Sequence, residues 1–91
     1  MDQETFKLAL LKKGLPEPIV IERGPGEIGE HTHAFEANAL ILEGSITLTI
    51  GNESTQYNVG DVFHLMPQVK HSESYGPNGV KYLVSRKEAQ N

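Results

Sequence analysis

The chain has 91 residues, no cysteine, and a formal net charge of −4 from eight basic and twelve acidic side chains. This length accommodates one domain, predicted to span residues 1–91, with a small core. The composition excludes disulfides and thiolate chemistry, a bilayer span of about 20 apolar residues, and the basic stripe that is typical of nucleic-acid binding. The acidic start lacks the layout of a secretory signal, so we expect a cytoplasmic protein that binds neither membranes nor nucleic acids.

Residues 1–14 are predicted to form a short N-terminal helix. Asp2 suits the N-cap, Lys12 and Lys13 suit the negative end of the helix dipole, and Gly14 suits the stop. Two prolines shortly after it prevent its continuation. The helix either packs on a sheet or forms a lid or dimer arm.

Residues 19–85 are predicted to form a β-barrel, and residues 86–91 a polar tail. Apolar and alternating runs are separated by turn residues at 43–44, 51–52, 60–61 and 76–79. Short strands at this spacing are typical of closed barrels and sandwiches. The sequence therefore predicts an all-β fold with one short helix.

Histidines at two places along the chain indicate a metal site. His31 and His33 project to the same side of an extended backbone, because side chains alternate along a strand. A third histidine from a neighbouring strand, with His71 as the candidate, would close three corners of the site, and imidazole is the commonest ligand of divalent transition metals. His64 is out of register and is expected on the surface or in the core.

The order of these parts resembles the two motifs of a small single-domain cupin, over about residues 19–85. A Gly-rich lead precedes His31 and His33, a strand ends at Gly44, and Gly60-Asp61 and Pro67 precede His71. The resemblance implies a jelly-roll barrel, that is, a double-stranded β-helix, with His31, His33 and His71 as metal ligands. It also implies a homodimer, and the small core favours one too.

One departure from the cupin pattern bears on the metal ligands. The first motif usually carries a glutamate four or five residues after its second histidine, where this chain has Ala37 and Asn38. Glu73 shares the parity of His71 and can face inward, whereas Glu36 faces away on a regular strand unless a bulge re-aims it. We predict Glu73 and Glu36 as the candidate catalytic carboxylates.

Two functions remain open at this point. Three neutral imidazoles bind Zn²⁺, Ni²⁺, Fe²⁺ or Cu²⁺, which favours a metal-dependent oxygenase, isomerase or lyase acting on a small polar metabolite. The alternative is a non-catalytic module that binds or senses a small molecule without a functional metal. In either case Phe35, Asn38 and Tyr75 are predicted to contact the substrate or ligand.

Overall fold

The computed structural model describes residues 1–88, which form one helix and six strands. The elements are α1 (Gln3–Lys12), β1 (Ile19–Arg23), β2 (Gly26–His31), β3 (Phe35–Ile50), β4 (Glu53–Asn58), β5 (Val62–Leu65) and β6 (His71–Glu88). The predicted all-β jelly-roll fold with a short N-terminal helix is confirmed.

The helix covers the outer face of the sheet. Asp2 caps it, because its carboxylate accepts a hydrogen bond of 2.8 Å from the backbone N–H of Thr5. Its two buried side chains, Phe6 and Leu10, pack against leucines of β3 and β6. Of the two roles considered for this segment, the structure shows packing on the sheet.

Strands β3 and β6 lie at the centre of the sheet, and every other strand pairs with one of them. The strand order is β1-β6-β3-β4, with β2 also paired to β6 and β5 also paired to β3, and every pairing is antiparallel. The ladder between β3 and β6 runs from Phe35 opposite Glu88 to Thr49 opposite Ser72. We refer to these two paired strands as the ribbon.

The ribbon bends in the middle, where the sequence predicted turns at 43–44 and 76–79. Both segments instead lie inside long strands, and the register of β3 shifts on either side of Gly44. Gly44 and Gly79 have φ angles of +72° and +75°. A Cβ on Gly44 would overlap the carbonyl of Gly79, and one on Gly79 would overlap the carbonyl of Arg23. Three backbones therefore meet at a corner that only glycine can occupy.

The bend folds the ribbon back on itself to form the barrel. A straight strand of 18 residues would measure about 60 Å, yet the longest extent of the molecule is 33 Å. The folded ribbon encloses a core of apolar side chains: Ala37, Ala39, Ile41, Ile46, Leu48, Phe63, Leu65, Val80, Tyr82 and Val84.

The end of β6 corrects one predicted boundary. Residues 86–88, predicted as the start of a polar tail, continue the strand and pair with the first residues of β3. The rest of the predicted tail, residues 89–91, lies outside the described part of the chain. Within residues 1–88 the one helix is far shorter than a membrane-crossing helix.

Candidate metal centre

Three histidines and one glutamate converge at one end of the barrel. His31 closes β2 and lies directly opposite His71, the first residue of β6. Glu73 is two residues further along β6 and therefore on the same face as His71, and His33 lies in the connection between β2 and β3. One potential ligand atom from each of the four lies within 4.8 Å of all the others. The expected convergence of the three histidines is present, and Glu73 joins them.

The imidazoles surround a single carboxylate oxygen. Oε2 of Glu73 lies 2.9 Å from Nε2 of His31, 3.3 Å from Nε2 of His71 and 3.9 Å from Nε2 of His33. Ligand atoms that share one ion at bonds of ~2.1 Å lie about 3.0–3.4 Å apart at right to tetrahedral angles, and farther apart at wider ones. The spacing of the four donors fits one transition-metal ion.

Backbone carbonyls fix the orientation of two of the rings. Nδ1 of His31 lies 2.6 Å from the carbonyl oxygen of Gly29, and Nδ1 of His71 lies 2.9 Å from that of Val69. A carbonyl oxygen only accepts, so each Nδ1 must donate a proton. In a neutral ring Nε2 then carries a lone pair, and both lone pairs point at Glu73. This is how metal-ligating histidines are usually held.

Lone pairs and a carboxylate cannot face one another without a cation between them. Protons on the rings would supply it, but they would crowd several positive charges around one carboxylate, with ring centroids only 4.4–5.1 Å apart. Burial, followed by the charges of His71 and His31, lowers the pKa of His33, which opposes this. A divalent ion neutralises the carboxylate and uses all three lone pairs. The donor set therefore fits a metal.

Two aromatic residues flank the cluster, both of them predicted to contact substrate. The hydroxyl of Tyr75 donates a hydrogen bond of 3.0 Å to Oε1 of Glu73. Burial, and then the charge of Glu73, raise the pKa of Tyr75, so the hydroxyl keeps its proton. Phe35 stacks on His33 with the centroids 4.7 Å apart and the rings 13° from parallel. Tyr75 thus orients the carboxylate, and Phe35 supports one imidazole.

Two further predicted site residues, Glu36 and Asn38, lie outside the cluster. Along β3 the core contains Ala37 and Ala39, so the alternate residues Glu36 and Asn38 face the other way. Glu36 accepts a hydrogen bond of 2.6 Å from Nε2 of His64 on that outer face. No bulge re-aims it, because the pairing of β3 with β5 and β6 is regular here. The structure brings neither Glu36 nor Asn38 to the cluster.

A small cavity adjoins the cluster and reveals a residue that the sequence analysis missed. Its volume is about 30 Å³, and its lining includes His33, His71, Glu73, Ala37 and Arg86. Arg86 is the first residue of the segment predicted as a polar tail. The signal was available in the alternation of 82, 84 and 86, which puts all three side chains on the inner face of β6.

An antiparallel barrel with a histidine cluster at its open end defines the class of protein, and sequence comparison agrees with it. The family model of the cupin domain matches residues 19–79, more than half of the chain. The protein therefore belongs to the cupin domain family. No curated protein matches the chain in sequence.

Solved structures share this fold. A cupin-2 domain containing protein from Shewanella frigidimarina has a TM-score of 0.63 at 17% identity, covering 76% of this chain and 67% of that one. The EutQ protein of Clostridium difficile has a TM-score of 0.72 at 12% identity, covering 90% and 64%. A structure of the DMSP lyases RdDddP and RnDddQII has a TM-score of 0.67 at 21% identity, covering 77% and 37%. This chain spans less than two thirds of the last two proteins.

Proposed function

We propose that this cupin binds one divalent transition metal through His31, His33, His71 and Glu73, and acts with it on a small polar metabolite. One observation supports the proposal above all others. Two imidazoles with fixed Nδ1 donors aim their Nε2 atoms at the same carboxylate oxygen, an arrangement in which one shared cation would bind all of these atoms.

The donor set limits which metal is expected. Three imidazoles favour Zn²⁺, Ni²⁺, Fe²⁺ or Cu²⁺ over Mg²⁺ and Ca²⁺, which prefer oxygen. Glu73 supplies the carboxylate that the first motif lacks at Ala37, and it comes from the opposite strand. Four protein ligands leave coordination positions open in a five- or six-coordinate ion.

The residues around that ion have different roles. When bound, the metal supplies Lewis acidity to an oxygen ligand. His31 and His71 are oriented by backbone carbonyls, and Glu73 is oriented by the Tyr75 hydroxyl. His71 and Glu73 are buried, with 2% and 10% of their side chains exposed, whereas His33 is 34% exposed. A substrate therefore approaches from the side of His33.

Metal titration tests this proposal. We expect the chelator-treated protein to bind one equivalent of Zn²⁺ in competition with a chromophoric chelator, and the His31→Ala/His33→Ala variant to lose that affinity. His64→Ala is the matched control, because His64 also contacts a glutamate but lies on the outer face. Wild-type protein that binds no Zn²⁺, Ni²⁺ or Co²⁺, or equal losses in the two variants, would contradict the proposal.

A second candidate function is binding without catalysis, and the size of the cavity favours it. About 30 Å³ holds roughly one or two waters, so only a small group of a ligand enters beside the metal. Incubating the metal-loaded protein with a mixture of small polar metabolites separates the two functions. Loss of one metabolite over time in the NMR spectrum supports an enzyme, and broadening of its lines at constant concentration supports a binding module.

We further propose that the protein is a homodimer. The small core of a 91-residue chain would gain from a covered face, and apolar side chains such as Leu8 and Leu11 are 55% and 75% exposed. Sedimentation equilibrium is expected to give twice the chain mass. A mass equal to one chain at micromolar concentration would refute the dimer.

A further inference from the structure

We propose that the cavity beside the cluster is a carboxylate-binding subsite, in which Arg86 and the metal together hold the acid group of a small anionic ligand. The inference rests on the proposed metal site and adds to it the chemical class of the ligand. It depends on the position of Arg86, on the absence of a partner for its charge, and on the space in front of it.

Arg86 is held at the open end of the barrel. It lies opposite Ala37 in the ladder between β6 and β3, and its guanidinium carbon lies 4.9 Å from the centroid of the Phe35 ring. Since Phe35 in turn stacks on His33, the guanidinium and the metal cluster adjoin the same aromatic ring. A cation–π contact of this kind restrains the arginine without neutralising it.

The charge of Arg86 has no anionic partner within residues 1–88. The ion pairs of this part of the chain involve histidines or Lys81, and none includes Arg86. A divalent ion on three neutral imidazoles and Glu73 would keep a net charge of +1, and Arg86 adds another beside it. This end of the barrel is therefore locally positive in a chain whose net charge is −4, and it attracts an anion.

Ala37 leaves the space in which such an anion fits. Its side chain is 4% exposed and lies opposite Arg86, and both residues line the cavity with His33, His71 and Glu73. The cavity volume of about 30 Å³ is close to that of one or two waters, which matches a carboxylate group rather than a whole metabolite. One oxygen can face the metal, and the other can accept from the guanidinium, the donor that suits carboxylates best.

The test uses glycolate and its neutral counterpart glycolamide as probes of the Zn²⁺-loaded protein. Backbone and arginine side-chain N–H shifts are followed by NMR during each titration. We expect saturable shifts at Arg86 and its neighbours with glycolate, and none with glycolamide at the same concentrations. Arg86→Gln should weaken glycolate binding about tenfold or more, the loss expected for one charge-assisted hydrogen bond. Lys87→Gln is the matched control, since it removes the same charge from the opposite face of β6.

A second variant approaches the subsite from the other side. Ala37→Glu places a carboxylate of the chain itself in the cavity, where it competes with the probe. It should abolish glycolate binding while Zn²⁺ affinity stays the same or increases.

The outcomes separate the two proposals. Zn²⁺ affinity is measured on every variant by chelator competition, so a wild-type protein without metal affinity overturns both. Metal binding with equal responses to glycolate and glycolamide, or equal effects of Arg86→Gln and Lys87→Gln, overturns the subsite and leaves the metal site standing.

Discussion

Histidines contact a glutamate in two places among the described residues, once on the outer face of the sheet and once in the cluster. On the outer face His64 and Glu36 are 2.6 Å apart, closer than His31 and Glu73 at 2.9 Å in the cluster. The outer pair is a single ring and a single carboxylate, with 47% of the His64 side chain exposed. The inner carboxylate faces three rings and is 10% exposed.

The difference shows that distance alone does not identify a site. Water solvates the outer pair in any protonation state, so the pair needs no other partner. Water cannot solvate the buried Glu73 carboxylate in the same way, because buried donors and acceptors must be matched within the protein. Convergence and burial distinguish the candidate metal centre from the surface pair.

The largest effect is expected from neutralising each carboxylate in turn. Glu73→Gln removes a charged ligand and should lower Zn²⁺ affinity by about 100-fold or more, beyond the range typical of outer-shell changes. Glu36→Gln should leave the affinity within about twofold of wild type, because Glu36 contacts His64 and none of the cluster. Chelator competition measures both.

Thermal unfolding of the metal-free variants is the control for this comparison. If Glu73→Gln unfolds cooperatively and still binds Zn²⁺ as wild type does, then Glu73 is no ligand, and the inner contact resembles the outer one.

A smaller effect is expected from the residue that orients Glu73. Tyr75→Phe removes the hydrogen bond to Oε1 and should lower Zn²⁺ affinity about tenfold, as loss of a partner behind a ligand does. Tyr57→Phe is the matched control, because the Tyr57 ring packs on Phe63 and the hydroxyl that donates to Glu73 belongs to Tyr75. Equal affinities of the two variants would show that Tyr75 does not position the carboxylate.

The smallest effect concerns the outer pair and pH. The hydrogen bond from His64 lowers the pKa of Glu36 below its ordinary value of 4.5. The sign follows: the contact stabilises the fold above that value, and the contribution is lost as the pH falls through the lowered pKa. Between about pH 5.5 and about pH 3, wild type should lose a few degrees more of melting temperature than Glu36→Gln. Identical losses would mean that the pair contributes nothing to stability.

Side-chain parity accounts for what the sequence predicted at the site. The alternation that places His71 and Glu73 on one face is a local property of an extended chain, so the inward position of Glu73 could be inferred without a structure. The same rule pointed Glu36 outward, and its assignment as a catalytic carboxylate required a bulge that the structure does not have. Asn38 shares that face and is placed with Glu36.

Long-range geometry accounts for what the sequence missed. Glycine and proline at 76–79 favour a chain reversal locally, but pairing with β3 continues on both sides of them and the strand only bends. Arg86 belongs to a polar run, and its approach to the cluster depends on that bend. The alternation of residues 82, 84 and 86 places Arg86 on the inner face of β6, but no local pattern shows that this face adjoins the cluster.

The close packing of Gly44 and Gly79 also limits how far the residues of the proposed site can move apart. The ladder continues about seven residues beyond Gly44 to Ala37 and Arg86, roughly 23 Å at the usual rise per residue. Over that length, opening the bend at Gly44 and Gly79 by about 5° would displace the Arg86 guanidinium by about 2 Å. A hydrogen bond breaks over such a distance. The distance between the proposed metal ion and the guanidinium of Arg86 therefore depends on how the backbone packs at Gly44 and Gly79, far from either group.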